Sequence, residues 1–140
     1  MPNLNLLYHK IVENQIQLFS YPLSSCSSDA VTLCYQDKFA IFLDYQKYNS
    51  SQEEFSALAH EYGHCIVGAT HHLHSPHQLV EQHENRANRA AVHEFLPFPS
   101  LLATVEKGYS EPWQIAEALD LPESFVVLAF NIYKAEGKLL

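Results

Sequence analysis

The stretch Ser51-Gln52-Glu53-Glu54-Phe55-Ser56-Ala57-Leu58-Ala59-His60-Glu61-Tyr62-Gly63-His64-Cys65-Ile66 decides how the chain folds. It opens on a capping-box pattern, with Ser51 at the N-cap and Glu54 reaching back to it. Phe55, Leu58, Ala59, Tyr62, Ile66 and Ala69 then recur at helical spacing as one apolar stripe. On the predicted helix His60 and His64 are four apart, so their imidazoles fall one turn from each other on one face. Two nitrogens so placed reach a single zinc ion at about 2.0–2.1 Å. Glu61 lies on the flank, roughly 60° round from His64 at about 100° per residue. There it is placed to take a proton from a water on the metal rather than to bind the ion. The stripe through Phe55, Tyr62 and Ile66 points the other way. The helix is therefore expected to have two faces turned from solvent, one for the core and one for a site. The motif alone is moderately specific; the cap before it and the stripe opposite strengthen it.

A catalytic zinc takes three protein ligands and keeps a fourth position for water. The candidates for the third are Glu84 and the remaining histidines. Glu84, Ala87, Asn88, Ala91 and Phe95 follow i, i+3, i+4, i+7, i+11, which predicts a second helix from about His83 to Phe95, stopped before Pro97. Ala and Phe mark its buried face, and a carboxylate on that face needs a partner, which a metal ion supplies. Ala87, Ala90 and Ala91 are small enough for the helices to approach closely. Asn88 is placed to orient a ligating histidine through its other nitrogen. His71 competes with Glu84. A metzincin, however, reads HExxHxxGxxH, whereas His71 follows His64 by seven and the only methionine is Met1, which leaves no methionine turn. His71, His72, His74 and His77 are read as a solvated loop at the cleft rim, with a second, weaker metal site there left open. His93 falls opposite Glu84 and is expected to be exposed. His83 is placed to tune the site, and Cys65 is read as packing. Gly63 in mid-helix costs about 1 kcal/mol relative to Ala. It is read as allowing close backbone approach by a neighbouring helix or a substrate.

Outward from these helices the pattern is simpler. Residues 4 to 18 read as an amphipathic helix through Leu4, Leu7, Tyr8, Ile11 and Val12, with Asn3 as N-cap. Ala30 to Tyr35 and Phe39 to Asp44 read as strands joined by a turn at Gln36-Asp37-Lys38. The second strand is apolar on both faces, and one face is assigned to a cleft. Shorter helices follow at about 100 to 107, 113 to 119 and 123 to 136. Helix, small sheet, then helices is an α+β order, and residues 1–140 are read as a single domain with the helices of about 100–140 as a subregion.

With 140 residues, 47% hydrophobic and 17% charged, the chain reads as globular. Its longest apolar run, Phe125 to Phe130, falls far short of the roughly 20 residues of a membrane span. Met1 to Lys10 lacks the cationic start of a signal peptide, so the expected location is the cytoplasm. A net charge of −8 argues against a nucleic-acid surface. Cys26, Cys34 and Cys65, without a CxxC, read as reduced thiols. Eight of the nine histidines lie between His60 and His93, which first suggests metal chemistry.

Three segments resemble the ImmA/IrrE family of small metallopeptidases: Ile41-Phe42-Leu43-Asp44, then Leu58-Ala59-His60-Glu61-Tyr62-Gly63-His64, then Glu84-Asn85-Arg86-Ala87-Asn88-Arg89-Ala90-Ala91 closing at Phe95-Leu96-Pro97. The resemblance covers about residues 30 to 135. Arg86, Ala90 and Glu94 depart from the family pattern. The resemblance implies a gluzincin-like domain with one zinc held by His60, His64 and Glu84, and Glu61 as catalytic base. It implies a polypeptide substrate, typically a repressor encoded by the same phage or mobile element, or one that governs a stress response. It also implies an extended substrate pairing with an edge strand, assigned here to Phe39 to Asp44. Two rival readings stand beside it: a non-proteolytic zinc-binding regulatory partner, and a toxin-like member of a toxin–antitoxin pair. Residues 113 to 133 resemble a helix-turn-helix, but Glu111 to Leu140 carries five acids and only two lysines, so packing or repressor docking is expected there rather than DNA binding. Tyr109 or a loop histidine is named as a candidate to stabilise the oxyanion.

Overall fold

A computed structural model describes residues 2–24, 28–68 and 77–139. Cys26, His71, His72 and His74 lie outside the described residues, and with them the second metal site considered for that loop. His77 is described only as the first residue of a helix. The elements in order are α1 (Pro2–Glu13), β1 (Gln17–Ser20), β2 (Ala30–Tyr35), β3 (Lys38–Leu43), a single 3-10 turn (Tyr45–Lys47), α2 (Ser51–Val67), α3 (His77–Phe95), α4 (Phe98–Glu106), α5 (Pro112–Leu119) and α6 (Glu123–Ala135). The architecture is α+β, and the strand order in the sheet is β1-β3-β2. None of the described helices is long and apolar enough to cross a membrane.

The first helix stops five residues before its expected end at 18. Gln15 turns the chain at φ 60°, and Gln17–Ser20 becomes a strand parallel to β3. The 3.6-residue apolar repeat ends at Val12; beyond it Leu18 and Phe19 point to opposite faces, as strand neighbours do. Asn3 is not a cap but sits inside α1, where its amide donates to the carbonyls of Leu119 and Asp120 at the end of α5. The β2–β3 hairpin turns on Gln36 and Asp37, both at positive φ, as a two-residue type I′ loop requires. The cap of α2 falls one residue earlier than read: the Ser50 hydroxyl accepts from the Glu53 amide, and Glu53 accepts from Asn49. On α3, six residues beyond the expected start are helical, because Gln78, Leu79, Glu81 and Gln82 are all good helix formers.

One expectation is overturned. β3 is the central strand, paired with β1 on one side and β2 on the other, so it offers no edge to a substrate. Its second apolar face is explained within the sheet: Phe42 stacks on Phe19 with centroids 5.0 Å apart and meets Tyr21 edge-on. Among the described residues β1 and β2 each pair only with β3, so both are edge strands.

The core lies between the sheet and the helices. Ile41 and Leu43 of β3, Leu7 and Ile11 of α1, and Phe55, Leu58 and Tyr62 of α2 are all buried in it. Phe55 holds α2 to α3 and α6 through edge-on contacts with Phe95 and Phe125, each with centroids 5.4 Å apart. Ile66, expected in the stripe, is 47% exposed, and Cys65 is buried in its place. Residues 113 to 133 do pack: Ile115, Phe125, Val126 and Tyr133 all belong to the core.

The tightest contact in the fold is between α2 and α3. A Cβ built on Gly63 would lie 2.1 Å from the Ala87 carbonyl oxygen and 2.8 Å from its carbon. These are rigid backbone atoms, so only glycine fits between His60 and His64 while α3 stays where it is. Gly63→Ala is expected to destabilise the protein by about 1–3 kcal/mol through overpacking, although Ala is the better helix former. Urea denaturation checks this; a variant as stable as the wild type would show that the helices are not held this close.

Candidate metal centre

Each central helix brings an i, i+4 pair to the face the two share: His60 and His64 from α2, Glu84 and Asn88 from α3. His60 Nε2 is in contact with one Glu84 oxygen, and His64 Nε2 lies 3.0 Å from the other. The two imidazoles meet edge-on with centroids 4.8 Å apart. One ligand atom from each of the three residues lies within 4.8 Å of the others, a group that can hold a metal ion. Two nitrogens at about 2.0–2.1 Å from one tetrahedral ion would be about 3.3 Å apart, so the cluster has the scale of one coordination sphere.

A hydrogen bond orients His60. Its Nδ1 lies 2.7 Å from Asn88 Oδ1. An amide oxygen only accepts, so Nδ1 donates to it and Nε2 is turned toward Glu84. The donor set of two imidazole nitrogens and a carboxylate fits a divalent ion such as zinc.

Burial is uneven across the three residues. The His64 side chain is 6% exposed, His60 29% and Glu84 37%. One donor is buried and two are part-exposed. The sequence placed Glu84 on the buried face; the structure leaves it part-exposed, and its role rests on its distance from both nitrogens.

Glu61 follows His60, half-buried and outside the ligand group. Its carboxylate accepts from the hydroxyl of Thr32 on β2, which also lies 3.4 Å from the Glu61 carbonyl oxygen. Sequence reasoning missed Thr32; the available signal was a polar residue on the strand face shared with Ala30. Burial, and then the Glu61 charge, push the Cys65 thiol up to about 12. It stays protonated, which suits packing and not metal binding. Burial, then the charges of Asp29 and Glu61, push the Tyr48 phenol up, and its hydroxyl donates to the Asp29 carbonyl.

A cleft of 860 Å³ runs along α2 from Glu53 past Ser56 and Ala57 to His60 and Glu61. Asp29 and Lys47 form one wall, and Pro122, Glu123 and Ser124 the other. The Lys47 ammonium donates to the carbonyls of Leu23 and Ser28, and the acids lining the cleft outnumber it. A side pocket of 250 Å³ shares Ser56, His60 and Ser124 with the cleft and ends on Ala91, Phe125 and Leu128. Tyr109 is exposed and does not line the cleft. His93 is exposed as expected, and it pairs with Glu136 at 3.0 Å. His83 is half-buried beside Glu84 and outside the ligand group.

Compared with family models, curated proteins and solved structures, the chain matches none.

Removing the Asn88 amide is expected to weaken metal binding about 10–100-fold, the usual cost of losing the group that orients a ligating histidine. Glu84→Ala should cost more, and His93→Ala nothing. Competition with a chromophoric chelator measures all three. Equal affinities for Glu84→Ala and wild type would remove Glu84 from the ligand set.

Proposed function

We propose that the chain is a zinc metalloendopeptidase, gluzincin-like and of the ImmA/IrrE type, that cleaves a protein substrate, an element-encoded transcriptional repressor. The observation that carries this reading is the meeting of both imidazole Nε2 atoms with the two oxygens of Glu84, with Glu61 beside them and outside the ligand group. Three protein donors, one of them lining a cleft, suit a catalytic zinc, whereas a structural zinc closes four.

His60, His64 and Glu84 would hold the ion. Bound there, zinc supplies Lewis-acid polarisation of the scissile carbonyl and makes water acidic enough to ionise near neutral pH. Glu61 takes the proton of the attacking water as its oxygen adds to the carbonyl carbon. The same carboxyl then gives that proton to the amide nitrogen as the C–N bond breaks, which leaves a carboxylate and an amine.

The surroundings support a polypeptide substrate. The unpaired edge of β2 can pair with an extended chain through main-chain hydrogen bonds. The cleft carries Asp29, Glu53, Glu61 and Glu123 against Lys47 alone, so it favours a cationic stretch. The side pocket beside His60 is walled by Ala91, Phe125 and Leu128 and suits one large apolar side chain.

Glu61→Gln is expected to bind zinc like the wild type and to lose about 10²–10⁴-fold in kcat, the usual contribution of a general base. The assay is cleavage of the repressor encoded beside the gene by zinc-loaded protein. If the wild type holds the repressor in a stable complex and leaves it whole, the regulatory-partner reading replaces this one. In a peptide series varied at single positions beside the scissile bond, one position should prefer Leu or Phe over Ala by about 10–200-fold in kcat/KM, the range a hydrophobic pocket delivers. A flat series would show that the side pocket takes no part.

A further inference from the structure

Thr32 lies mid-way along β2, opposite the fully buried Ile41 of β3. On a strand, partners in register share a face, so Thr32 faces α2 with the buried Ala30. A part-buried hydroxyl needs a partner. Thr32 lies beside the Cys65 thiol and meets Glu61 twice over: the carboxylate oxygen Oε2, and at 3.4 Å the main-chain carbonyl of the same residue. A hydroxyl has one proton, and it goes to the closer, charged acceptor.

We infer that Thr32 is a positioning residue that fixes the Glu61 carboxylate through Oε2 and leaves Oε1 to handle the proton of the attacking water. A glutamate at the edge of an open cleft has three rotatable bonds, and this single contact restrains them before substrate arrives. The support stands on β2, an edge strand. A polypeptide bound along that edge steadies the strand and, through Thr32, the base, so substrate docking and base alignment are coupled. The role in catalysis rests on the peptidase reading of Glu61; the hold on the carboxylate does not.

Two measurements on the full chain test the inference. The first uses metal-free protein and no substrate. Unfolding in urea is compared for wild type, Thr32→Val, Glu61→Ala and the double variant. The hydrogen bond should appear as a coupling of about tenfold in the unfolding equilibrium constant, as bonds to charged groups show. Strict additivity overturns the inference. The second uses zinc-loaded enzyme. Thr32→Val should lose about 10–100-fold in kcat, the scale of a displaced catalytic group, with KM and zinc affinity unchanged, and Thr32→Ser should restore most of it. Thr32→Val turning over like wild type, or Thr32→Ser failing as badly as Val, overturns the positioning role. If the wild type cleaves nothing, the peptidase reading fails. The coupling measurement still decides whether Thr32 holds Glu61.

Discussion

The backbone contact between α2 and α3 at Gly63 and Ala87 is the constraint on which the site depends. Helices that carry ordinary side chains at their contact stand 8–10 Å apart. A glycine against an alanine brings the helices closer, and both Glu84 oxygens then reach an imidazole. The helix gives up about 1 kcal/mol of intrinsic propensity for this, so the residue is chosen for the site against the preference of its own helix.

A close contact at one point fixes a distance, but a metal site also needs fixed rotation and slide. Other contacts supply these. Phe55, two turns before Gly63, is clamped between Phe95 and Phe125 and sets how α2 is rotated against the C-terminal helices. The N-terminal half of α2 is held by Tyr8 of α1, whose hydroxyl donates to Glu54 at 2.6 Å. Burial, and then that bond, push the Tyr8 phenol well above its ordinary value. The chain is delivered to α2 by Asp44, a buried carboxylate that accepts from the Leu23 and Gln46 amides. The far end of α3 is held by the buried Tyr133 hydroxyl, which donates to the Leu96 carbonyl at 2.7 Å. Lys10 and Glu94 pair at 2.7 Å between α1 and α3; an exposed pair of this kind contributes little energy.

What the sequence disclosed follows from which interactions are local. His60, His64 and Glu61 share one helical turn, so helix geometry alone sets their relation. Glu84 and Asn88 were legible because their helix repeats strongly, and Gly63 because a glycine in mid-helix needs a reason. Long-range pairings were not legible. Gln17–Ser20 is four residues long and follows a helix with a matching apolar pattern, so only its pairing with β3 reveals a strand. The central place of β3 depends on that same pairing, and with it the identity of the edge strands. Ser50 and Ser51 are equally good caps on paper, and the choice between them is made by where the 3-10 turn releases the chain. Thr32 shares a strand face with Ala30, but a threonine in a strand is ordinary, and only the approach of β2 to α2 gives it a partner.

The departures from ordinary local preference converge on one place. Gly63 puts a poor helix former in mid-helix, Thr32 puts a hydroxyl on the strand face turned to α2, and two imidazole nitrogens face one carboxylate. A sequence selected for stability alone would avoid such choices, and sites of function are where they are kept. The glycine lets α3 approach and brings the carboxylate to the imidazoles, and Asn88 turns one of them toward it. The three donors then converge on a volume that can hold a cation. The hydroxyl restrains a nearby acid that is left out of that group. A metal-binding geometry can therefore be argued from the packing of two helices as well as from the spacing of two histidines.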